Sequence, residues 1–130
     1  MASSAASNSN VGKCLIVDDH VGIRGVLRLF VRKLGYAAIE CANGQDALLL
    51  FEREAPDWVL MDLEMPVLDG LQATHAILQR DPLARVIVIT QHADPIWREQ
   101  ALAAGARAFV LKEDLTRLGA MLTQALDQAS

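Results

Sequence analysis

Asp18 and Asp19 stand side by side directly after an apolar run, Cys14-Leu15-Ile16-Val17. Asp62 closes a second run, Trp58-Val59-Leu60-Met61. Thr90 follows Val86-Ile87-Val88-Ile89, and Lys112 follows Ala108-Phe109-Val110-Leu111. Three carboxylates, a hydroxyl and an amine thus hold equivalent positions after four similar runs. Two carboxylates about 4 Å apart repel by roughly 4 kcal/mol at an effective dielectric near 20, so a cluster of three calls for a cation. An all-oxygen donor set suits Mg²⁺ or a similarly hard divalent ion. Asp19 and Asp62 are the expected direct ligands, with Asp18 one step further from the ion and the backbone carbonyl of Glu64 completing the set. A carboxylate beside such an ion can also act as a nucleophile. In phosphoryl transfer, cations neutralise charge on the equatorial oxygens. Asp62 fits the attacking group, Lys112 the second cation, and Thr90 a short donor to one phosphoryl oxygen.

Each residue taken singly has a plainer role. Asp19 suits a helix cap, Thr90 a strand, and Lys112 a solvated surface. Their recurrence at the ends of successive runs is what favours a site.

The elements that must position them follow from the same runs. Each is continuously apolar rather than alternating, the pattern of strands buried on both faces of a parallel sheet. A fifth, weaker run spans Tyr36 to Cys41. Amphipathic stretches lie between. Ile23, Leu27, Phe30 and Leu34 recur at helical spacing, and Gly35 follows as a stop. Ala47, Leu48 and Phe51 predict a second helix ended before Pro56. A third is expected from Gly70 to Gln79, with Leu71, Thr74, Ile77 and Leu78 inward. A fourth runs from Pro95 to Ala104, with Gly105 as its stop. The last carries Leu115, Leu118, Leu122 and Ala125, entered through Asp114 as cap. Five βα units predict an open α/β parallel sheet with helices on both faces. Such sheets place their chemistry at the carboxyl ends of the strands.

The 130 residues suit one domain, and 52% hydrophobic against 22% charged residues argues against disorder. Twelve Lys and Arg against sixteen Asp and Glu give a net charge of -4, which argues against direct nucleic-acid binding. Cys14 and Cys41 lie in apolar segments without a C-x-x-C pair, as expected of reduced, packed thiols rather than zinc ligands. No apolar run is long enough to span a bilayer. Met1 to Asn10 is Ala-, Ser- and Asn-rich and lacks the basic and apolar regions of a secretory signal. Residues 1–11 are expected to form a flexible tail, residues 12–128 the folded domain, and the chain to be soluble and cytoplasmic.

At this point the sequence resembles the response-regulator receiver domains of bacterial two-component systems. The matching stretches are Leu15-Ile16-Val17-Asp18-Asp19-His20, Met61-Asp62-Leu63-Glu64-Met65-Pro66 with Asp69-Gly70, Ile87-Val88-Ile89-Thr90, and Gly105 through Lys112. Asp19-His20 early and Gly-Ala-Arg-Ala-Phe late look closest to receivers of the LuxR-type (NarL-like) regulators. The resemblance implies a flavodoxin-like fold with strand order 2-1-3-4-5. It implies Asp62 as phosphoacceptor, Asp18 and Asp19 as the acidic metal pair, and Thr90 and Lys112 as switch hydroxyl and lysine. Phe109, three residues before Lys112, falls where the family carries an aromatic switch residue, although plain core packing explains it equally well. The implied phosphodonor is a phosphohistidine on a sensor histidine kinase or a histidine phosphotransfer protein. The implied output surface is the face made by the fourth helix, fifth strand and last helix, serving an output domain or a partner protein. The chain would be a signalling switch rather than an enzyme.

This sequence departs from the family pattern in three places. Glu113 follows Lys112 where the family often has a proline with a cis bond. Gln91 follows Thr90 where a smaller residue is commoner. Glu64 and His92, two residues beyond Asp62 and Thr90, fall where the family tunes dephosphorylation, and both also read as solvated loop residues. Two other functions remain open on the residues alone. One is an aspartyl-phosphate phosphatase of the haloacid dehalogenase type. Its Asp-x-Asp pattern near the first strand is not matched here. The other is an interaction module that works without phosphate.

Overall fold

In a computed structural model, residues 11–65 and 68–129 are described. The tail expected over residues 1–11 therefore lies almost wholly outside them, as does the side chain of Ala125. Five parallel strands are β1 (Gly12–Val17), β2 (Tyr36–Cys41), β3 (Trp58–Asp62), β4 (Val86–Thr90) and β5 (Ala108–Leu111). Helices α1 (Val21–Lys33), α2 (Gly44–Glu54), α3 (Gly70–Arg80), α4 (Pro95–Ala103) and α5 (Leu115–Ala129) follow them in turn. The sheet order is β2-β1-β3-β4-β5, the flavodoxin-like arrangement. The weak run at Tyr36 is a full strand, paired along its length with β1 from Gly12↔Tyr36 to Val17↔Cys41.

Alternate residues of each strand supply the two faces. Cys14, Ile16, Leu60, Ile87, Ile89 and Val110 pack against Leu27 and Val31 of α1 and Leu118 and Leu122 of α5. Leu15, Val17, Val59 and Met61 pack against Ala47 and Phe51 of α2 and Ala73 and Ile77 of α3. Val88 and Phe109 join Leu63, Ala101 and Ala106 beneath α4. The helix faces differ from expectation in detail. Val31 and Ala73 are fully buried, whereas Ile23, Phe30, Leu34 and Leu71 pack at the margins.

The helix ends follow local chemistry. His20, not Asp19, caps α1: its Nδ1 accepts from the Ile23 N–H at 3.1 Å. Asp69 and Gln72 form a reciprocal capping box at α3. Pro95 sits in the first turn of α4, and Asp94 caps it. The Asp114 carboxylate accepts from the Arg117 N–H at 3.3 Å, as expected for α5. Gly35 and Gly105 carry positive φ of 99° and 106°, as their roles as helix stops require.

Gly70 has a different task. A Cβ there would collide with the Asp62 carbonyl and the Leu63 backbone. The tight approach of α3 to the end of β3 depends on that missing atom. Gly70→Ala is expected to cost about 1–3 kcal/mol by overpacking and to displace the segment after Asp62. Thermal unfolding together with amide shifts of residues 62–65 would check this; an unchanged melting temperature would contradict it.

Candidate functional site

The strand order reverses direction between β1 and β3, because β2 lies on one side of β1 and β3 on the other. Ligands bind at such a switch point, outside the carboxyl ends of the strands. Register places Val17 beside Met61, Asp62 beside Ile89, and Thr90 beside Leu111. Asp18, Asp62, Thr90 and Lys112 therefore leave four adjacent strands at one edge. Two further hydrogen bonds extend the ladders there: Asp18 N–H to Cys41 O at 3.1 Å and Lys112 N–H to Thr90 O at 2.7 Å.

Carboxylate oxygens of Asp18, Asp19 and Asp62 all lie within 4.8 Å of one another. Asp18 and Asp62 are buried, Asp19 exposed. Lys112 Nζ bridges the cluster, 3.0 Å from Asp18 Oδ2 and 3.1 Å from Asp62 Oδ1. Asp18 is the most fully engaged of the three acids. Its Oδ1 also accepts from the His20 N–H at 2.9 Å, and its carbonyl accepts from Arg24 at 2.8 Å. Asp62 and Asp19 face a cleft of about 260 Å³ that Glu64, Gln91 and Lys112 also line.

The electrostatics follow from burial and like charge. Burial, then the neighbouring Asp18 charge, pushes the Asp62 carboxyl up to about 6, against the opposing pull of Lys112. For Lys112, burial favours the neutral amine, but contacts to Asp18 and Asp62 outweigh it and raise its pKa. One lysine thus leaves three clustered carboxylates undercompensated. A hard divalent cation fits this donor set: oxygen ligands, excess negative charge, and an open side toward water.

Thr90 is buried, and its Oγ1 accepts from the His92 N–H at 3.1 Å, which leaves the hydroxyl proton free to donate. Phe109 is only 7% exposed and packs with Val88, Ala101 and Leu63. Glu64 and His92 come together: His92 Nε2 lies 2.6 Å from Glu64 Oε1, though off the line a ring N–H would need for a hydrogen bond. The described residues contain no cis peptide bond, so Lys112–Glu113 is trans. Cys14 is buried and Cys41 half-buried, both as free thiols. Burial pushes Cys41 up to about 11.

Sequence reasoning missed Arg24. It ties the Asp18 carbonyl to Glu40 on β2, and Arg28 joins the same carboxylate at 3.0 Å. The signal was a charged residue inside an edge-strand run facing two arginines one turn apart on α1.

Comparisons with known proteins agree with this geometry. Residues 14–123 match the family model of the response regulator receiver domain. The chain is 41% identical to the transcriptional regulatory protein YhcZ of Bacillus subtilis over 78% of its length and 48% of YhcZ. It is 36% identical to the chemotaxis protein CheY of Thermotoga maritima, covering 77% of the chain and 84% of CheY. Thus it spans about half the length of the transcriptional regulator and most of CheY. A LuxR-family two-component response regulator from Aurantimonas sp. SI85-9A1 superposes with a TM-score of 0.81 at 34% identity, over 90% of this chain and 86% of that one. The receiver domain of NarL from Mycobacterium tuberculosis superposes with a TM-score of 0.79 at 29% identity, over 91% and 98%. With its acids, hydroxyl and lysine gathered at the strand ends of this fold, and with LuxR- and NarL-type receivers among its structural neighbours, the chain belongs to the response regulator receiver domain family.

Proposed function

We propose that residues 12–128 form a phosphorylation switch in which Asp62 accepts a phosphoryl group from a phosphohistidine. The supporting observation is the Lys112 ammonium, held between Asp18 and Asp62 beside the buried Thr90 hydroxyl. An Asp62 carboxylate oxygen attacks phosphorus, the bond from phosphorus to the imidazole nitrogen breaks, and that nitrogen takes up a proton. Asp19, Asp62 and the Glu64 carbonyl would hold Mg²⁺, with Asp18 beside them, and the ion would supply positive charge that offsets the negative charge of the phosphoryl group. Lys112 pairs with one phosphoryl oxygen and Thr90 donates to another. The acidic pair follows β1 and the phosphoacceptor ends β3, so the haloacid dehalogenase pattern is absent, and the family match leaves that phosphatase reading without support.

The added charge of about -1.5 to -2 draws Thr90 and Lys112 inward. Phe109 and α4 then settle in a second arrangement, since Ala101 is the one buried residue of α4. The α4-β5-α5 face would carry the signal to an output domain or partner protein. The donor would be a sensor histidine kinase or histidine phosphotransfer protein. It would dock on α1 beside the cleft, where Val21, Val26 and Leu29 are exposed. No described helix is long and apolar enough to cross a membrane, consistent with a cytoplasmic switch. Such a switch assists its own phosphorylation and dephosphorylation but turns over no separate substrate.

The test is ³¹P NMR of the protein with Mg²⁺ and acetyl phosphate. An acyl-phosphate resonance on the protein is expected, decaying to inorganic phosphate; its absence would contradict the reading. Val26→Asp with Leu29→Asp is expected to slow transfer from a phosphohistidine protein about tenfold, while leaving uptake from acetyl phosphate unchanged. Equal slowing with both donors would remove α1 from the docking surface. Substituting Glu64 or His92 is expected to change phosphoryl lifetime more than phosphorylation rate, and an unaltered decay rate would count against their tuning role.

A further inference from the structure

A second cavity of about 260 Å³ opens beside the phosphorylation cleft, and Glu64 borders both. Leu63, Met65 and Leu71 line it with apolar surface. The half-buried Trp97 ring forms a wall, tilted 39° to the His92 ring at a centroid distance of 6.1 Å. Glu64 and Asp69 add two carboxylates. Among the described residues, no lysine or arginine pairs with either of them. The volume falls below that of a pocket for a drug-sized ligand, which starts at about 300 Å³, but suits one long side chain.

An apolar lining, an aromatic face and two carboxylates that no described lysine or arginine pairs, with only the His92 ring against Glu64, together specify a ligand with an alkyl stem and a cationic head. The stem lies along leucine and methionine, and the head meets the tryptophan face and the carboxylates. A guanidinium suits this best, because its plane stacks on an indole while its edge donates to carboxylates. We propose that this cavity receives an arginine side chain of a protein that engages the adjacent phosphorylation cleft. Recognition would then sense the loop after β3 and the loop after β4 together, since Glu64 comes from the first and His92 from the second.

Binding of a small probe does not require phosphoryl transfer, so the cavity is tested independently of Asp62 chemistry. The probes are N-acetyl-arginine methylamide and its neutral isostere N-acetyl-citrulline methylamide. The readout is the indole N–H resonance of Trp97, with that of the buried Trp58 as internal reference. A saturable shift of Trp97 is expected with the arginine probe, with affinity on the order of millimolar. The citrulline probe should bind at least about fivefold more weakly, the factor that about 1 kcal/mol of cation recognition provides. Glu64→Gln combined with Asp69→Asn, which keeps a competent helix cap, should abolish the difference between probes while Trp58 stays in place. Equal binding of the two probes by the wild type would overturn charge recognition. No saturable movement of Trp97 would overturn the site.

Discussion

Lys112→Met is expected to lower the stability of the metal-free protein at pH 8 by about 2–3 kcal/mol. The ammonium contacts two buried carboxylates, 3.0 Å from Asp18 and 3.1 Å from Asp62. Removing one partner of a buried charge group costs more than the pair itself contributes, because the remaining charges stay desolvated and uncompensated. The open cleft lets water in on one side, which keeps the cost below that of a fully enclosed site. Asp62 is already raised to about 6 with the lysine present, and without it the carboxyl rises further. Protonation then relieves the strain, so the penalty should shrink as pH falls from 8 towards 6, through the variant's raised pKa. Chemical unfolding of both proteins at pH 5 and pH 8 checks this. A penalty equal at the two pH values would mean that Lys112 acts through packing rather than charge.

Asp62→Asn is expected to do the opposite: to stabilise the metal-free protein at pH 8 by about 1–2 kcal/mol. The folded-state pKa of about 6 stands above the ordinary 3.8, so the fold prefers the protonated carboxyl. Below about pH 4 the group is protonated in both folded and unfolded chains, and no penalty exists. As pH rises through 6 the folded carboxyl ionises, and the stability contributed by the protonated form is lost. The wild type should therefore lose stability between about pH 4 and pH 6 relative to the asparagine variant. Mg²⁺ should recover it in the wild type, by about 2.7 kcal/mol at a hundredfold excess over its dissociation constant, and do much less in the variant. Parallel pH profiles for the two proteins would show that Asp62 carries no such penalty.

The site was legible because one geometric rule converts sequence into space. Continuously apolar runs announce strands buried on both faces, and parallel strands bring their carboxyl ends to one edge. Asp18, Asp62, Thr90 and Lys112 sit at those ends, so their convergence needed no knowledge of helix packing. β2 was harder to read because an edge strand is less buried and carries Glu40 within its apolar run. The role of Glu40 depends on the β1–β2 register, which brings it near Arg24 and Arg28; no local pattern encodes that. His20 was read only as part of a motif, yet its ring nitrogen caps α1, because a histidine at that position lacks the usual capping signature. The cavity at Trp97 was invisible for a similar reason. It is made by two loops and two helices, and its shape depends on how α4 sits over Phe109 and Leu63. Trp97 itself belongs to a helix with one buried residue, whose amphipathic signal is correspondingly faint.

The account rests on Asp62 being the group that takes the phosphoryl. The direct measurement is the intact mass of the wild type and of Asp62→Ala after incubation with Mg²⁺ and acetyl phosphate. The expected result is a gain of one phosphoryl group in the wild type, removed by chelating the metal beforehand, and no gain in the variant. An equal gain in both proteins would place the phosphoryl elsewhere and contradict the assignment.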